Sequence, residues 1–347
     1  MSVTATEVLS RVKALVDPAL RRAVSSLSEQ LRPPVEYHLG WVDKSGSPLS
    51  TDGGKGIRPA FAILSAEVVG ASAEIGLPGA VGVELVHNFS LIHDDVIDGD
   101  VERRHRETVW SLYGVGRAVV AGDALLTLAQ QVILDPSMTL GPTAISNPEY
   151  AARAALHLAD ATAEMNSGQA LDMEFESHRS VTYEECLRME GGKTGALLSC
   201  AASIGAVLAG ADRKTVDALG VFGMQLGLSF QAVDDLLGVW GDPARTGKAT
   251  YADLRQHKKT LPVTAAIESG GRRARELEDL LEIPELSDDE VARAAKLVEE
   301  LGGRARASAQ ARESMENALA ALDEASSNDT ARAELVELAH FVVDREF

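Results

Sequence analysis

Between Leu91 and Asp100 the chain runs LIHDDVIDGD, and Arg103-Arg104 follow almost at once. Four carboxylates (Asp94, Asp95, Asp98 and Asp100) sit among the apolar Leu91, Ile92, Val96 and Ile97. On a helix Asp94 and Asp98 stand at i and i+4 and share a face, with Asp95 about 100° round from Asp94. Like charges so placed repel by about a few tenths of a kcal/mol on an exposed helix and by more where water is scarce. Alone, the stretch divides evenly between a solvated face and a cradle for hard divalent cations, whose preferred ligands are carboxylate oxygens. A second acidic pair, Asp234-Asp235, stands in QAVDDLLGVWGD near the end of another long apolar segment. Two such pairs facing each other in a helical core would repel strongly without cations, because buried charge persists when paired or metal-bound.

The basic residues follow the same logic. Lys55, Arg58, Arg103, Arg104, Lys193, Lys248 and Lys258 all lie at expected helix starts or in glycine-containing loops. Each alone is an ordinary surface charge. Beside two acidic clusters they point to a substrate rich in phosphate oxygens, with Mg²⁺ bridging carboxylate and phosphate while Arg and Lys neutralise the rest. No nucleophile–base pair stands out, and there is no GxxxxGK[ST] loop. The chemistry then needs charge stabilisation and a dry cavity.

The elements that must position these groups are helices. The 347 residues are 45% apolar and only 4% aromatic, enough for a sizeable core and favouring helix over sheet. A net charge of −19 argues against nucleic acid or an anionic membrane surface as partner. Cys186 and Cys200 fall in helical patterns as small buried thiols. No apolar h-region opens the chain, so no signal peptide is expected. The one long uncharged run, 195–211, falls short of a membrane span, and a cytoplasmic protein follows. Residues 3–31 suggest an amphipathic helix or helical hairpin, stopped by Pro33-Pro34. Further helices are expected from near Pro59 to Val69, from Leu77 to the aspartates, over 115–134, 149–176 and 212–240, with four more, polar and peripheral, after Leu261. Thr182/Glu185 and Ser287/Glu290 have capping-box spacing, and Gly191-Gly192 interrupt the helix that Thr182 opens. The expectation is an all-α protein of about a dozen helices with no fixed-period repeat.

These residues resemble the trans-isoprenyl diphosphate synthases, or polyprenyl synthetases. The family's DDxxD and following arginine pair match Asp94-Asp95-x-x-Asp98 and Arg103-Arg104. Its GKxxRP is Gly54 to Pro59, its upstream His is His87, and its Lys-Thr pair is Lys193-Thr194. Phe-Gln-x-x-Asp-Asp is Phe230 to Asp235, and the later lysines are Lys248 and Lys258. The motifs run in order from about residue 50 to 262, inside a single domain of residues 1–347 whose last part, 263–347, is peripheral. Two departures stand out: Gly238 occupies the place of the second motif's third aspartate, and His105-Arg106-Glu107-Thr108 replaces Gly-x-Pro-Thr.

The resemblance implies one large helical bundle of isoprenoid synthase type around a central cavity, and a homodimer. It implies three Mg²⁺ held on an allylic diphosphate by Asp94, Asp98 and Asp234, with Asp95 and Asp235 in support. Arg103, Lys193, Lys248 and Lys258 would neutralise the departing diphosphate. Lys55, Arg58, His87 and Arg104 would hold isopentenyl diphosphate, and Thr194 and Gln231 would steady the allylic cation or leaving group. Phe89 and Ser90, five and four residues before Asp94, resemble the floor of geranylgeranyl (twenty-carbon) synthases.

Farnesyl or longer products remain open. So does a class I terpene cyclase, although the second half lacks an Asn/Asp-x-x-Ser-x-x-x-Glu motif. Two ExxH pairs, Glu84/His87 and Glu337/His340, have the spacing of ferritin-like di-iron bundles. A non-catalytic partner subunit is a further alternative, against which both acidic motifs stand.

Overall fold

The computed structural model describes residues 3–49, 54–143, 147–242, 250–325 and 327–343. Helix α1 (Ala5–Ser25) begins at a capping box: Glu7 accepts the Thr4 N–H at 2.8 Å while Thr4 Oγ1 accepts the Glu7 N–H. Its buried Val8, Val12, Val16, Ala19 and Ala23 recur every three or four positions, so one stripe packs inward. Pro33 and Pro34, expected to stop a helix, instead open α2 (Arg32–His38). First-turn N–H groups have no helical acceptor, so proline costs nothing there.

After α3 (Ile57–Glu67), α4 (Ala73–Ile97) starts earlier than the expected Leu77 and runs through Pro78 to the first acidic motif. Strands β1 (Glu102–Arg103) and β2 (Arg106–Glu107) pair antiparallel. Next come α5 (Val109–Tyr113), α6 (Val115–Leu134), α7 (Ser137–Leu140) and α8 (Pro148–Ser177). The capping box of Thr182 and Glu185 opens α9 (Tyr183–Glu190) as its spacing predicts. Gly191-Gly192 do not interrupt the helix: a π turn over Gly191–Gly195 carries it on into α10 (Ala196–Leu208). The chain continues through α11 (Arg213–Trp240), α12 (Ala252–Arg255), α13 (Leu261–Glu268), α14 (Gly271–Leu281), α15 (Asp288–Glu300), α16 (Gly303–Ala325) and α17 (Asp329–Val343). Five helices, not four, therefore follow Thr260. Ser287 and Glu290 cap α15 as expected.

Contacts group the chain into two compact units. One comprises Met1–Thr162, Cys200–Gly220 and Glu324–Leu338. Its core holds the fully buried Phe61, Ile63 and Leu64 of α3, Leu85 and Ile92 of α4, and Leu125, Leu128 and Ile133 of α6. Arg11 ties α1 to α3 and α17 by bonding Glu67 and Glu334. The other unit comprises Ala163–Ser199, Val221–Asp323 and Ala339–Phe347. There Phe175, Tyr183, Met189, Val233, Leu236 and Leu261 form one apolar cluster, and Val239, Leu254, Val263, Leu277, Val291 and Leu297 a second. Helices α14 and α15 are thus not peripheral: their apolar stripes close the second cluster.

Cys186 and Cys200 are free and buried. Four helical stretches, Ala73–Ile97, Val115–Leu134, Tyr183–Leu208 and Arg213–Trp240, are long and apolar enough to cross a membrane, where only residues 195–211 stood out in the sequence. Between 44% and 72% of their apolar windows is buried inside the protein.

Candidate functional site

The first acidic motif occupies the last turn of α4, which Gly99 ends at φ 69°. Asp94 is half-buried and Asp98, the C-cap, is exposed. Asp95 is 1% exposed and turns inward, where its Oδ1 accepts the Arg103 Nε–H at 2.6 Å and its buried Oδ2 has no hydrogen-bond partner. Burial pushes the Asp95 pKa up, and Arg103 pulls it back. Arg103, expected on the departing diphosphate, is here held by the motif itself.

Arg103 and Arg104 ride on the β1–β2 hairpin, whose two-residue turn is Arg104-His105 with both φ positive, at 53° and 61°. Such a turn matches strand twist but favours glycine or asparagine. Arg106 fastens the hairpin to α2 and the segment beyond it, donating to the Tyr37 and Val42 carbonyls at 3.0 and 2.9 Å. Arg104 is thereby brought to the loop before α3, its guanidinium 3.6 Å from where a Cβ on Gly54 would lie.

The loop carries exposed Lys55, and Arg58 stands in the first turn of α3. Arg58 Nη1 lies 3.3 Å from His87 Nε2. Arginine only donates, so that nitrogen is the bare one and Nδ1 carries the His87 proton. Burial and then Arg58 hold the His87 pKa well below its ordinary value, keeping it neutral. Glu84 balances Arg58 from within α4: Asn88 donates to its carboxylate at 3.1 Å, while burial pushes its pKa up. Arg58 Nε is buried without a partner. Beside this group lies a cavity of about 260 Å³ lined by Gly54, Gly56, Glu84, Asn88 and Arg104. A second, of about 190 Å³, is lined by His38, Asp95, Arg103, Arg104 and Arg106. Burial and the neighbouring arginines push the His38 pKa down to about 3.

Phe89 is buried, with its ring 4.9 Å from His93 in a T-shaped contact. His93 Nε2 reaches the Val119 carbonyl on α6 at 3.0 Å. Half-buried Ser90 turns its hydroxyl back to the His87 carbonyl at 2.9 Å.

In the other unit, Lys193-Thr194 sit on the π turn. Gly168 of α8 packs so tightly on it that an added Cβ would lie 2.1 Å from the Lys193 amide nitrogen. A π turn lodged in a helix is a frequent mark of a functional site. Lys193 pairs with Asp172 of α8 at 2.5 Å. Thr194 Oγ1 donates to Gln231 Oε1 at 3.1 Å, and Gln231 Nε2 donates to Asp235 Oδ1 at 3.1 Å. Asp235 Oδ2 accepts the Leu261 N–H at 2.8 Å, so both its oxygens are held. Burial pushes Asp235 up to about 6, while Glu190, the Leu261 N–H and Gln231 pull the other way. Buried Glu190 is itself pushed well above the carboxylate range, first by burial and then by Asp235. Asp234, its neighbour, is only half-buried. Lys258 is exposed just before α13. Lys248 lies outside the described residues.

Each expected site residue that is described falls into one of these two groups. Sequence reasoning missed Glu190 and Asp253 altogether and gave Glu84, Asn88 and Asp172 no part in the site. The i, i+4 spacing of Glu84 and Asn88 was a usable signal. Glu84 serves Arg58 and Glu337 accepts the Ala5 N–H at 3.2 Å, so the two ExxH pairs have other work than a di-iron site. Among the described residues no three His, Cys, Asp or Glu side chains form a metal cage. Asp94, Asp98 and Asp234 nevertheless offer hard carboxylate oxygens, which suit Mg²⁺, a cation bound through one or two carboxylates and completed by water and substrate phosphate.

A polyprenyl synthetase family model matches residues 40–299. A (2E,6E)-farnesyl diphosphate synthase of Mycobacterium tuberculosis is 46% identical over 343 residues, 98% of this chain and 93% of that protein. A geranylgeranyl diphosphate synthase of the same species is 40% identical over 339 residues, covering 97% and 93%. The crystal structure of a polyprenyl synthetase from Streptomyces coelicolor A3(2) superimposes with a TM-score of 0.89 at 49% identity, covering 98% of this chain and 99% of that one.

Proposed function

The chain belongs to the polyprenyl synthetase family and is a prenyltransferase, and from that premise we propose that it joins isopentenyl diphosphate head-to-tail to an allylic diphosphate, ending at geranylgeranyl diphosphate. The observation that carries the reading is Arg58, a buried cation with an unspent Nε donor beside a polar cavity. Leaving such a donor unsatisfied costs about 1–3 kcal/mol, and an anion relieves it. Arg58, Arg104 and Lys55 are assigned to the diphosphate of isopentenyl diphosphate, with His87 orienting Arg58. Lys193, Lys248, Lys258 and Arg103 are assigned to the allylic diphosphate. Three Mg²⁺, held by Asp94, Asp98 and Asp234, supply charge neutralisation to the leaving group.

The allylic carbon–oxygen bond breaks and its electron pair leaves with diphosphate. The isopentenyl double bond attacks the resulting cation, which Thr194 and Gln231 steady, forming the new carbon–carbon bond. A proton is then lost to the departed diphosphate. Phe89 on His93 is the proposed floor beneath the growing chain, and Ser90 leaves room beside it. The greater identity to the farnesyl diphosphate synthase supports a fifteen-carbon product as second reading.

A homodimer in the cytoplasm completes the proposal. Exposed Val115, Val119, Val120 and Leu134 on α6 support a second copy as partner. Incubation with Mg²⁺, isopentenyl diphosphate and each allylic diphosphate in turn, with chromatography of the dephosphorylated products, tests it. A twenty-carbon alcohol is expected. A fifteen-carbon end product selects the second reading, and no Mg²⁺-dependent product from any starter overturns both.

A further inference from the structure

Gly238 stands where the family's second motif has its third aspartate. An ideal Cβ added to Gly238 would lie 1.7 Å from Asp253 Oδ2 and 2.4 Å from its Cγ. Asp253 thus lays its carboxylate where the side chain of residue 238 would begin. The two cannot coexist, and the glycine is the space that Asp253 requires. Asp253 is 5% exposed on α12, whose N-cap Tyr251 takes a left-handed φ of 62°. Its neighbour Leu254 is fully buried in one cluster with Val239, the residue after Gly238, which fixes α12 against α11. The Asp253 carbonyl accepts the Lys258 N–H at 2.9 Å, so the same turn places the last lysine of the site. The Asp253 charge is also felt at Asp235.

We propose that Asp253 supplies from α12 the carboxylate that Gly238 lacks, so that the second acidic cluster is Asp234, Asp235 and Asp253, drawn from two helices. This rests on the prenyltransferase reading. In that role Asp253 is a positioning residue for the cation held by Asp234, and Gly238 is the other half of an exchange.

The test is a Mg²⁺ titration of the full chain with inorganic diphosphate as probe, read as thermal stabilisation. Asp253→Asn keeps the shape and removes the charge, so it is expected to need about tenfold more Mg²⁺ for half the stabilisation while melting like the parent without Mg²⁺. Gly238→Asp alone collides with Asp253 and lowers the melting temperature. The exchange Gly238→Asp/Asp253→Gly returns the Mg²⁺ midpoint to that of the parent. An Asp253→Asn protein that titrates like the parent overturns the inference. Should Asp253→Asn not fold, the exchange variant decides: a parental midpoint supports the inference and a displaced one overturns it. Absence of Mg²⁺-dependent stabilisation in the parent, together with absence of product, would instead fail the prenyltransferase reading.

Discussion

Replacing Gly168 with alanine isolates what the π turn contributes. The new Cβ would lie 2.1 Å from the Lys193 amide nitrogen and 2.6 Å from the Gly192 carbonyl carbon, both backbone atoms that cannot rotate away. Ordinary contact begins near 3.4 Å, so α8 and the π turn must part by about 1 Å. Overpacking of that kind costs about 1–3 kcal/mol, which in a protein of this size is a fall of roughly 2–10 °C in melting temperature. Misplacing Lys193 and Thr194 by about 1 Å is worth about 10²-fold in turnover. Gly191→Ala is the internal control. Gly191 has helical φ of −57°, and its nearest neighbours, Leu228 Cδ2 and Met224 Sδ, would be 3.8 and 3.9 Å from a Cβ. Alanine there is expected to stabilise by about 0.5–1 kcal/mol through its lower unfolded-state entropy. Thermal melts and initial rates of prenyl transfer measure both variants. Equal behaviour of the two alanines, or a Gly168→Ala enzyme with parental rate and melting temperature, would refute the close-approach argument.

Other perturbations draw on the same geometry. His105→Gly relieves a left-handed residue in the hairpin turn and is expected to stabilise by roughly 0.5–1 kcal/mol net of the freer unfolded chain, raising the melting temperature. The folded pKa of His38 lies far below its ordinary 6.5, so stability is lost as pH falls from 6.5 toward 3. Urea melts across that window should show a slope smaller by up to about 1.4 kcal/mol per pH unit in His38→Gln. Arg58→Met leaves the Glu84 carboxyl buried without its cation and should cost about 3–5 kcal/mol in the same melts, part of it recovered by adding Glu84→Gln. Phe89→Ala opens the proposed floor, and chromatography should show longer prenyl alcohols; an unchanged product profile removes Phe89 from that role.

Local signals carried most of the architecture. Capping boxes at Thr182 and Ser287 and the apolar spacing over 115–134 depend on neighbours in sequence, and the structure realises them. Pro33-Pro34 and Gly191-Gly192 mislead for one reason: a breaker's meaning depends on where in the helix it falls. Proline in a first turn starts a helix. A glycine pair can be demanded by another helix, as Gly192 is by Gly168, without ending its own. The C-terminal helices look peripheral because their apolar residues are few per turn, yet Leu277, Val291 and Leu297 close a core shared with Val239 and Leu254. No local pattern announces such a partner.

The two acidic motifs divide their labour in one way. Asp95 and Asp235 are buried, at 1% and 4% exposure, and each is held by hydrogen bonds from its own unit, from Arg103 in one case and from Gln231 and Leu261 in the other. Asp94 and Asp234, the residues just before them, are less buried. A helix places successive side chains about 100° apart, so a DD pair at the rim of a core must put one carboxylate inward and one outward. The inward one is costly to leave alone, and each unit provides it with donors. Bound inside, it fixes the rotation of its helix and hence the direction of its neighbour. The second aspartate of each pair is therefore better understood as an anchor that aims the first. In the sequence the two are indistinguishable, because the donors that separate them come from 8 residues away at Arg103 and 26 at Leu261.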